Sequence, residues 1–472
     1  MRNLIPLILV TFVASGSALN GTQTKFIEQP LSHYMGLDYK WDQRYFVNAD
    51  YFLNGGPIFI YIGYGFEYYD VMYRGEVFNF NKELNGLLFG LEHRFYGASR
   101  PTRDASYMSL EYLTVEQALA DIAEFIQFIK DNYEGTANSK VILYGERYGS
   151  ALAVWARQKY PHLVDGVWAS SAYLSPVVNH LSLAENIGRT FKRIGGQQCY
   201  DVFKYAFETL EVLVWSNDTE TIKTSLKQCK DLEVDNSQDV NWLFLNLVQV
   251  IQNYLQRSSY QDIETSCEKL VEDAENQKYF DSFSNWLSNE VHPNVFCMNF
   301  NYNDMVKSYR EWEWETVGTV GGARQDMWLH CNQLGQFATS EAIEQPFGNR
   351  FKLHVFLDFC EDLFPNTRLE VENKKMYTTY GDRNLNVRNV FFTNGEFDPK
   401  ITLGLYEKDL NQDSPVVVIP LHTTARDIKA PTNYDSPILK EVKLRARANM
   451  LKWILELESE EEALNMLKGI QI

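Results

Sequence analysis

The chain has 472 residues, 45% of them hydrophobic, with 29 Phe, 28 Tyr and 10 Trp. That composition supports a large packed core and argues against a disordered chain; the length allows two to three domains. A formal net charge of −18 argues against nucleic acid and anionic membrane surfaces as partners.

The chain starts Met1-Arg2-Asn3, continues with an apolar run from Leu4 to Ala14, and then turns small at Ser15, Gly16, Ser17 and Ala18. That is the pattern of a secretory signal peptide over 1–18, with cleavage expected after Ala18. The run is too short to anchor in a bilayer, and no second hydrophobic span follows, so no membrane span is expected. The mature chain is predicted to be luminal or extracellular. Six cysteines, Cys199, Cys229, Cys267, Cys297, Cys331 and Cys360, fit an oxidising compartment. They imply disulfides whose connectivity spacing alone does not fix. None shows C-x-x-C spacing, so neither a metal nor a cofactor is expected. Asn20-Gly21-Thr22 and Asn217-Asp218-Thr219 read as glycosylation sequons at Asn20 and Asn217.

In chain order, 26–53 alternates in character and reads as strands. Ile58-Phe59-Ile60-Tyr61-Ile62 and Leu87-Leu88-Phe89-Gly90-Leu91 are continuous apolar runs, as in strands buried on both faces. Residues 114–130 carry Ala118, Ile122, Phe125, Ile126 and Ile129 at helical spacing, with Thr114 placed to cap. Another strand is expected at 141–144 and another near 166–170. From about 175 to 375 the periodicity is mostly helical, and all six cysteines lie there. Leu243, Leu245, Val248, Ile251 and Leu255 mark one such helix. Strand signal returns at Asn389–Thr393 and Val416–Ile419. A helix over about 434–457 and an acidic run at 458–462 close the chain. Strands alternating with helices predict a parallel sheet covered on both faces. The expected division is a core of 19–175 and 376–472 around a helical cap of 176–375.

The stretch Val141–Ser150 reads as strand, tight turn and helix. Gly145 and Gly149 flank one middle residue, the layout of a nucleophile elbow, G-x-S-x-G. The middle residue here is Arg147. In an α/β-hydrolase the nucleophile, acid and histidine follow one another in the chain, each beyond a strand end. This sequence offers Arg147, Asp398 and the loop at 421–425. Arg147 has neither hydroxyl nor thiol and keeps its charge, so it is no acyl nucleophile.

Several longer stretches resemble one family: Trp41-Asp42-Gln43-Arg44-Tyr45, Leu91-Glu92-His93-Arg94-Phe95-Tyr96-Gly97, Tyr112-Leu113-Thr114 with Glu116-Gln117-Ala118-Leu119, Ala169-Ser170-Ser171-Ala172, Arg324-Gln325 to Cys331, and Asn394-Gly395-Glu396-Phe397-Asp398-Pro399. The resemblance is to lysosomal Pro-X carboxypeptidase, dipeptidyl peptidase II and thymus-specific serine protease, and it spans essentially the whole mature chain. It implies an α/β-hydrolase core with a helical cap inserted before the acid, and removal of short pieces from peptide ends next to proline. It also implies Cys331 paired with Cys360. The other four cysteines are then expected as Cys199–Cys267 and Cys229–Cys297. Homodimers occur among such relatives.

The chain departs from that family at three places. Arg147 stands where the elbow resembles Gly-Gly-Ser-Tyr-x-Gly, with Tyr148 at the oxyanion-hole position. Thr424 stands where the family has its histidine, with His422 two residues early. Gly63-Tyr64-Gly65-Phe66 stands where it has Gly-Gly-Glu-Gly, so Tyr64 and Gly65 alter the pocket loop. Asp398 is the retained triad acid. The expected protein is a secreted or lysosomal exopeptidase homologue without a working triad, holding a peptide or protein ligand. The rival is an active serine-type exopeptidase acting near proline. Ser150, Ser170 and Ser171 read as packing or loop residues, His93 as a scaffold hydrogen-bond donor and His422 as a loop histidine. An unpaired buried carboxylate is costly, and breaking a buried pair costs roughly 3–5 kcal/mol. Arg147 is therefore expected to swing into the vacated imidazole space and bond to Asp398, with Glu146 as the rival partner.

Overall fold

Alternating residues at the start of the chain form two antiparallel strands, Gln23–Pro30 (β1) and Lys40–Asn48 (β2). The apolar runs become Ile58–Ile62 (β3), Leu87–Leu91 (β4), Val141–Glu146 (β5) and Gly166–Ser170 (β6), each buried along almost its whole length. Val390–Gly395 (β7) and Val416–Ile419 (β8) complete the set. The computed structural model describes residues 21–63, 72–276, 278–293 and 295–470. The expected signal peptide over 1–18, Asn20, Tyr64 and Gly65 lie outside the described residues.

Among the described residues the main sheet runs β1-β2-β4-β3-β5-β6-β7-β8. β1 and β2 are antiparallel to their neighbours; from β4 to β8 every pairing is parallel. Because side chains alternate along a strand, each run supplies two cores. Ile58, Ile60, Leu143 and Val167 belong to one, which also takes in the helices Val115–Asn132 (α1) and Arg147–Lys159 (α2). Phe59, Tyr61, Tyr144, Trp168 and Phe391 face the other, against the helix Pro437–Leu455 near the end of the chain. The Thr114 hydroxyl accepts from the Gln117 N–H at 3.2 Å and caps α1, as its position in the sequence predicted.

Much of the motif sequence is structural. Arg94 is fully buried at the end of β4. It makes a two-pronged ion pair with Asp121 of α1, both contacts at 2.6 Å, and donates to the carbonyls of Leu31 and Tyr112. Arg44 of β2 pairs with Glu92. The strand ends therefore leave the sheet already fixed to the helix layer.

The eight sheet strands come from 23–170 and 390–419; the segment between is mainly helical. It includes Ser237–Arg257 (α3) and Ala323–Leu329 (α4). Three disulfides join Cys199–Cys267, Cys229–Cys297 and Cys331–Cys360, as the resemblance and the remaining pairing implied. α4 is bound to the core: Arg324 donates to the Ala105 carbonyl at 2.8 Å and Gln325 to the Phe95 carbonyl at 2.9 Å. No helix of the described residues is long and apolar enough to cross a membrane.

Candidate active site

β5 runs straight into a tight turn. Arg147 has φ 53°, the left-handed region, and starts α2. A non-glycine residue there costs on the order of 1–3 kcal/mol, sustained by its surroundings. Those surroundings are visible. A Cβ at Gly145 would lie 2.6 Å from the Ile62 carbonyl oxygen, and one at Gly149 would lie 2.3 Å from it. Both elbow glycines are therefore required by the close approach of β3. The turn keeps the strained geometry that lifts a nucleophile out of a sheet, but the side chain it lifts is a guanidinium.

The positions expected to form the site sit together at the carboxyl ends of β5, β7 and β8. Asp398 follows β7 and is 1% exposed. It accepts the Lys400 backbone N–H at 2.9 Å, and the Tyr173 hydroxyl lies 3.4 and 3.5 Å from its two oxygens. Burial raises its pKa; the Lys400 N–H, the Thr424 hydroxyl, the Arg147 charge and the Ser171 hydroxyl oppose that rise. Thr424 is equally buried, and although its hydroxyl lies beside Asp398, no well-directed hydrogen bond satisfies Oγ1. The loop carrying it is locked onto β7. The Phe397 N–H donates to the His422 carbonyl at 2.9 Å, and the carbonyls of His422 and Thr423 press against Gly395, where a Cβ would meet them at 2.6 and 2.1 Å.

Arg147 does not bond to Asp398 as expected. Its guanidinium is 3.6 Å from the Glu146 carboxylate, the rival partner. The left-handed turn lets these neighbouring side chains approach, and the Asp398 oxygens already hold other donors. Arg147 still lies near enough for its charge to favour ionised Asp398.

Among the described residues neither His422 nor His93 bonds to Asp398. The His422 ring bonds to the Pro420 carbonyl at 2.6 Å and faces the Ser436 hydroxyl. His93 is buried at the end of β4, its Nδ1 donates to the Arg94 carbonyl at 2.8 Å, and its Nε2 faces the Tyr148 hydroxyl at 3.4 Å. Burial pushes its pKa down to about 4, so the ring is neutral. Ser170 donates to Asp427 at 2.7 Å, Ser171 accepts from the Ala425 N–H at 3.1 Å, and Ser150 is fully buried inside α2. Asn217 is exposed in the turn after a helix. Among the described residues no group of His, Cys, Asp and Glu could hold a metal.

Sequence reasoning missed the groups that line this junction from a distance. The Gln256 amide, at the end of α3, donates to the Tyr173 hydroxyl at 3.2 Å, which in turn reaches Asp398. The Thr423 hydroxyl donates to the Ser258 carbonyl at 2.8 Å, and Arg426 donates to the Arg257 carbonyl at 2.5 Å. The cap thus ends on the loop that carries Thr424. Lys400 was also missed; a cation two residues after the acid, on a strand-end loop, was the available signal.

Parallel strands with all site loops at their carboxyl ends, an elbow between β5 and α2, and an acid after β7 define an α/β-hydrolase with an inserted helical cap. The chain belongs to the family described as Serine carboxypeptidase S28, which it matches over residues 29–446. It is similar to lysosomal Pro-X carboxypeptidase of Bos taurus, at 26% identity over 91% of this chain and 87% of that protein. It is also similar to thymus-specific serine protease of Mus musculus, at 26% identity over 92% and 88%. A relative from Caenorhabditis elegans is 30% identical over 80% of this chain and 74% of its own length. Among solved structures, a thermostable carboxyl esterase from Bacillus coagulans aligns over 95% of this chain and 99% of its own, with 11% identity and a TM-score of 0.31.

Proposed function

We propose that this protein is a non-catalytic member of its peptidase family and holds a peptide or protein ligand in the former catalytic cleft. One observation carries the reading: Arg147 occupies the strained elbow and Thr424 lies beside Asp398, so both the attacking hydroxyl and its base are missing from an otherwise assembled site. In a comparable triad, losing the nucleophile or the histidine costs a rate factor of about 10⁶, and losing both costs little more. Tyr148 stands at the oxyanion-hole position, and what remains is an acid without a relay. The proposal extends to a secreted or lysosomal location, glycosylation at Asn217, and a division into core 19–175 with 376–472 and cap 176–375. A homodimer is consistent with it.

The rival reading, an active serine-type exopeptidase acting near proline, rests on family membership and retained Asp398. A serine-directed fluorophosphonate probe, with proline-containing dipeptidyl and carboxypeptidase substrates, separates the two. The expected result is no labelling and no turnover. Turnover by the purified protein that disappears in Asp398→Ala would establish the rival.

A further inference from the structure

We propose that Lys400 anchors a carboxylate group of a ligand entering this cleft, with Arg147 as the neighbouring positive charge. The inference rests on the reading of the cleft as a binding site, and it names the chemistry of what is bound.

Lys400 follows Asp398 by two residues, and its backbone is fixed there by the N–H it gives to that carboxylate. Its ammonium turns elsewhere. It lies 5.4 Å from the centre of the Tyr173 ring. Among the described residues Nζ makes neither a hydrogen bond nor an ion pair within 4.0 Å, although an ammonium carries three donors. The residue as a whole is only partly buried, so it lies at the edge of the core rather than inside it.

The surrounding charges identify the complement. Arg147 and Asp398 act on Lys400 from the core, and Asp326 acts from the cap helix α4. Neither acid closes on it: Asp398 accepts the Lys400 N–H and faces the Tyr173 hydroxyl, and Asp326 accepts the Tyr96 hydroxyl. Burial holds the ammonium below its ordinary pKa; Asp398 and Asp326 oppose that fall and Arg147 adds to it. Arg426 is a further cation within the field of Arg147. A desolvated cation beside another cation is satisfied by an anion with oxygens to accept its protons. Nucleophile loss alone does not require such an arrangement, because a neutral residue at 400 would leave Asp398 its backbone donor. A ligand carboxylate would also meet the start of α2, where backbone N–H groups and the helix dipole favour negative charge.

The test uses the full secreted chain at fixed ionic strength. Binding of an N-acetylated proline-containing tripeptide is compared in free-acid and C-terminal amide forms, to wild type, Lys400→Met and Lys400→Arg. Thermal melts are run in parallel with succinate, inorganic phosphate and chloride. Lys400→Met removes a poorly solvated charge and should fold; the melts check that directly. The expected result is at least about tenfold tighter binding of the acid, lost in Lys400→Met and retained in Lys400→Arg. Peptides that bind equally as acid and amide, or an acid preference that survives Lys400→Met, overturn the anchor and leave the binding-cleft reading standing. If no peptide binds but succinate stabilises wild type and not Lys400→Met, the anchor stands and the peptide reading falls. Stabilisation by phosphate without succinate overturns the carboxylate assignment, and no effect of any anion or peptide overturns the proposal outright.

Discussion

The Tyr96 hydroxyl, in the loop after β4, donates to the Asp326 carboxylate of α4 and so joins core to cap near Lys400. Burial raises the Asp326 pKa to about 7, against the opposing effects of Tyr96 and Lys400. The folded protein therefore keeps this proton up to about pH 7, whereas the unfolded chain releases it near its ordinary value of 3.8. Between those values the folded state binds more protons, so the contribution is present at low pH and lost as pH rises through about 7. Asp326→Asn should gain melting temperature relative to wild type from pH 4 to 7 and then hold a constant difference. Thermal melts across pH 4–9 read this out; a difference that does not change with pH would rule it out.

Three histidines oppose that trend. Burial pushes the pKa of His93 to about 4, of His180 to about 3 and of His330 to about 4. Each is neutral when folded but takes a proton below about 6.5 when unfolded, so stability is lost as pH falls through 6.5. Together with Asp326 this places the stability maximum at about pH 6–7. A melting temperature that climbs steadily from pH 6 down to pH 4 would contradict the assignment.

The buried pair Arg94–Asp121 holds the β4 end to α1, with 0% and 1% of the two side chains exposed. Asp121→Ala strands a guanidinium in the core, and the expected loss is roughly 3–5 kcal/mol. Arg94→Leu with Asp121→Leu should lose less, because no guanidinium is left unpaired, although His33 and the Leu31 and Tyr112 carbonyls still lose a partner. Denaturant titration of the single and double variants tests this, and equal losses in both would show that the pair's shape, not its charge, matters.

Much of this fold was legible because burial on both faces writes itself as unbroken apolar runs. Ile58–Ile62 and Val141–Tyr144 needed no tertiary information. The elbow was legible from Gly145 and Gly149, whose spacing reflects a real contact with Ile62. The direction of Arg147 was not, because it depends on a left-handed φ that lets its side chain meet Glu146. Nor were Tyr173, Gln256 and Asp326, which approach Asp398 and Lys400 from three separate segments and carry no local pattern. The long motifs marked the family but mostly encode anchoring: Arg44, Glu92, Arg94, Arg324 and Gln325 hold strands, loops and cap together.

The elbow itself is testable apart from chemistry. Gly149→Ala forces a Cβ against a backbone oxygen 2.3 Å away, and overpacking of this kind costs about 1–3 kcal/mol. Arg147→Gly relieves the left-handed strain while losing the Glu146 pair, so it should change stability by less than about 1 kcal/mol. If Gly149→Ala is tolerated without loss, the close packing of β3 on the elbow is wrong.

Repair of the triad is the strictest test of the proposed loss of catalysis. Arg147→Ser alone restores a hydroxyl in the strained position but leaves no group to accept its proton. Thr424→His alone supplies an imidazole that Asp398 can orient, facing a guanidinium that cannot attack. Each single variant should remain unlabelled by a fluorophosphonate and inactive on proline-containing substrates. The double variant places serine on the left-handed turn and histidine beside a buried carboxylate, the arrangement in which an acid holds the tautomer and the imidazole takes the proton. The ring must fit a tight space, since Thr424 is 1% exposed and its loop is clamped against Gly395. Labelling should therefore appear in the double variant at a rate well below that of a working peptidase, and it should vanish on adding Asp398→Asn, which removes the charge that stabilises the imidazolium. Labelling in Arg147→Ser alone would mean that another group serves as the base. His422 would be the first to examine, and the proposed loss of catalysis would then reduce to one substitution rather than two.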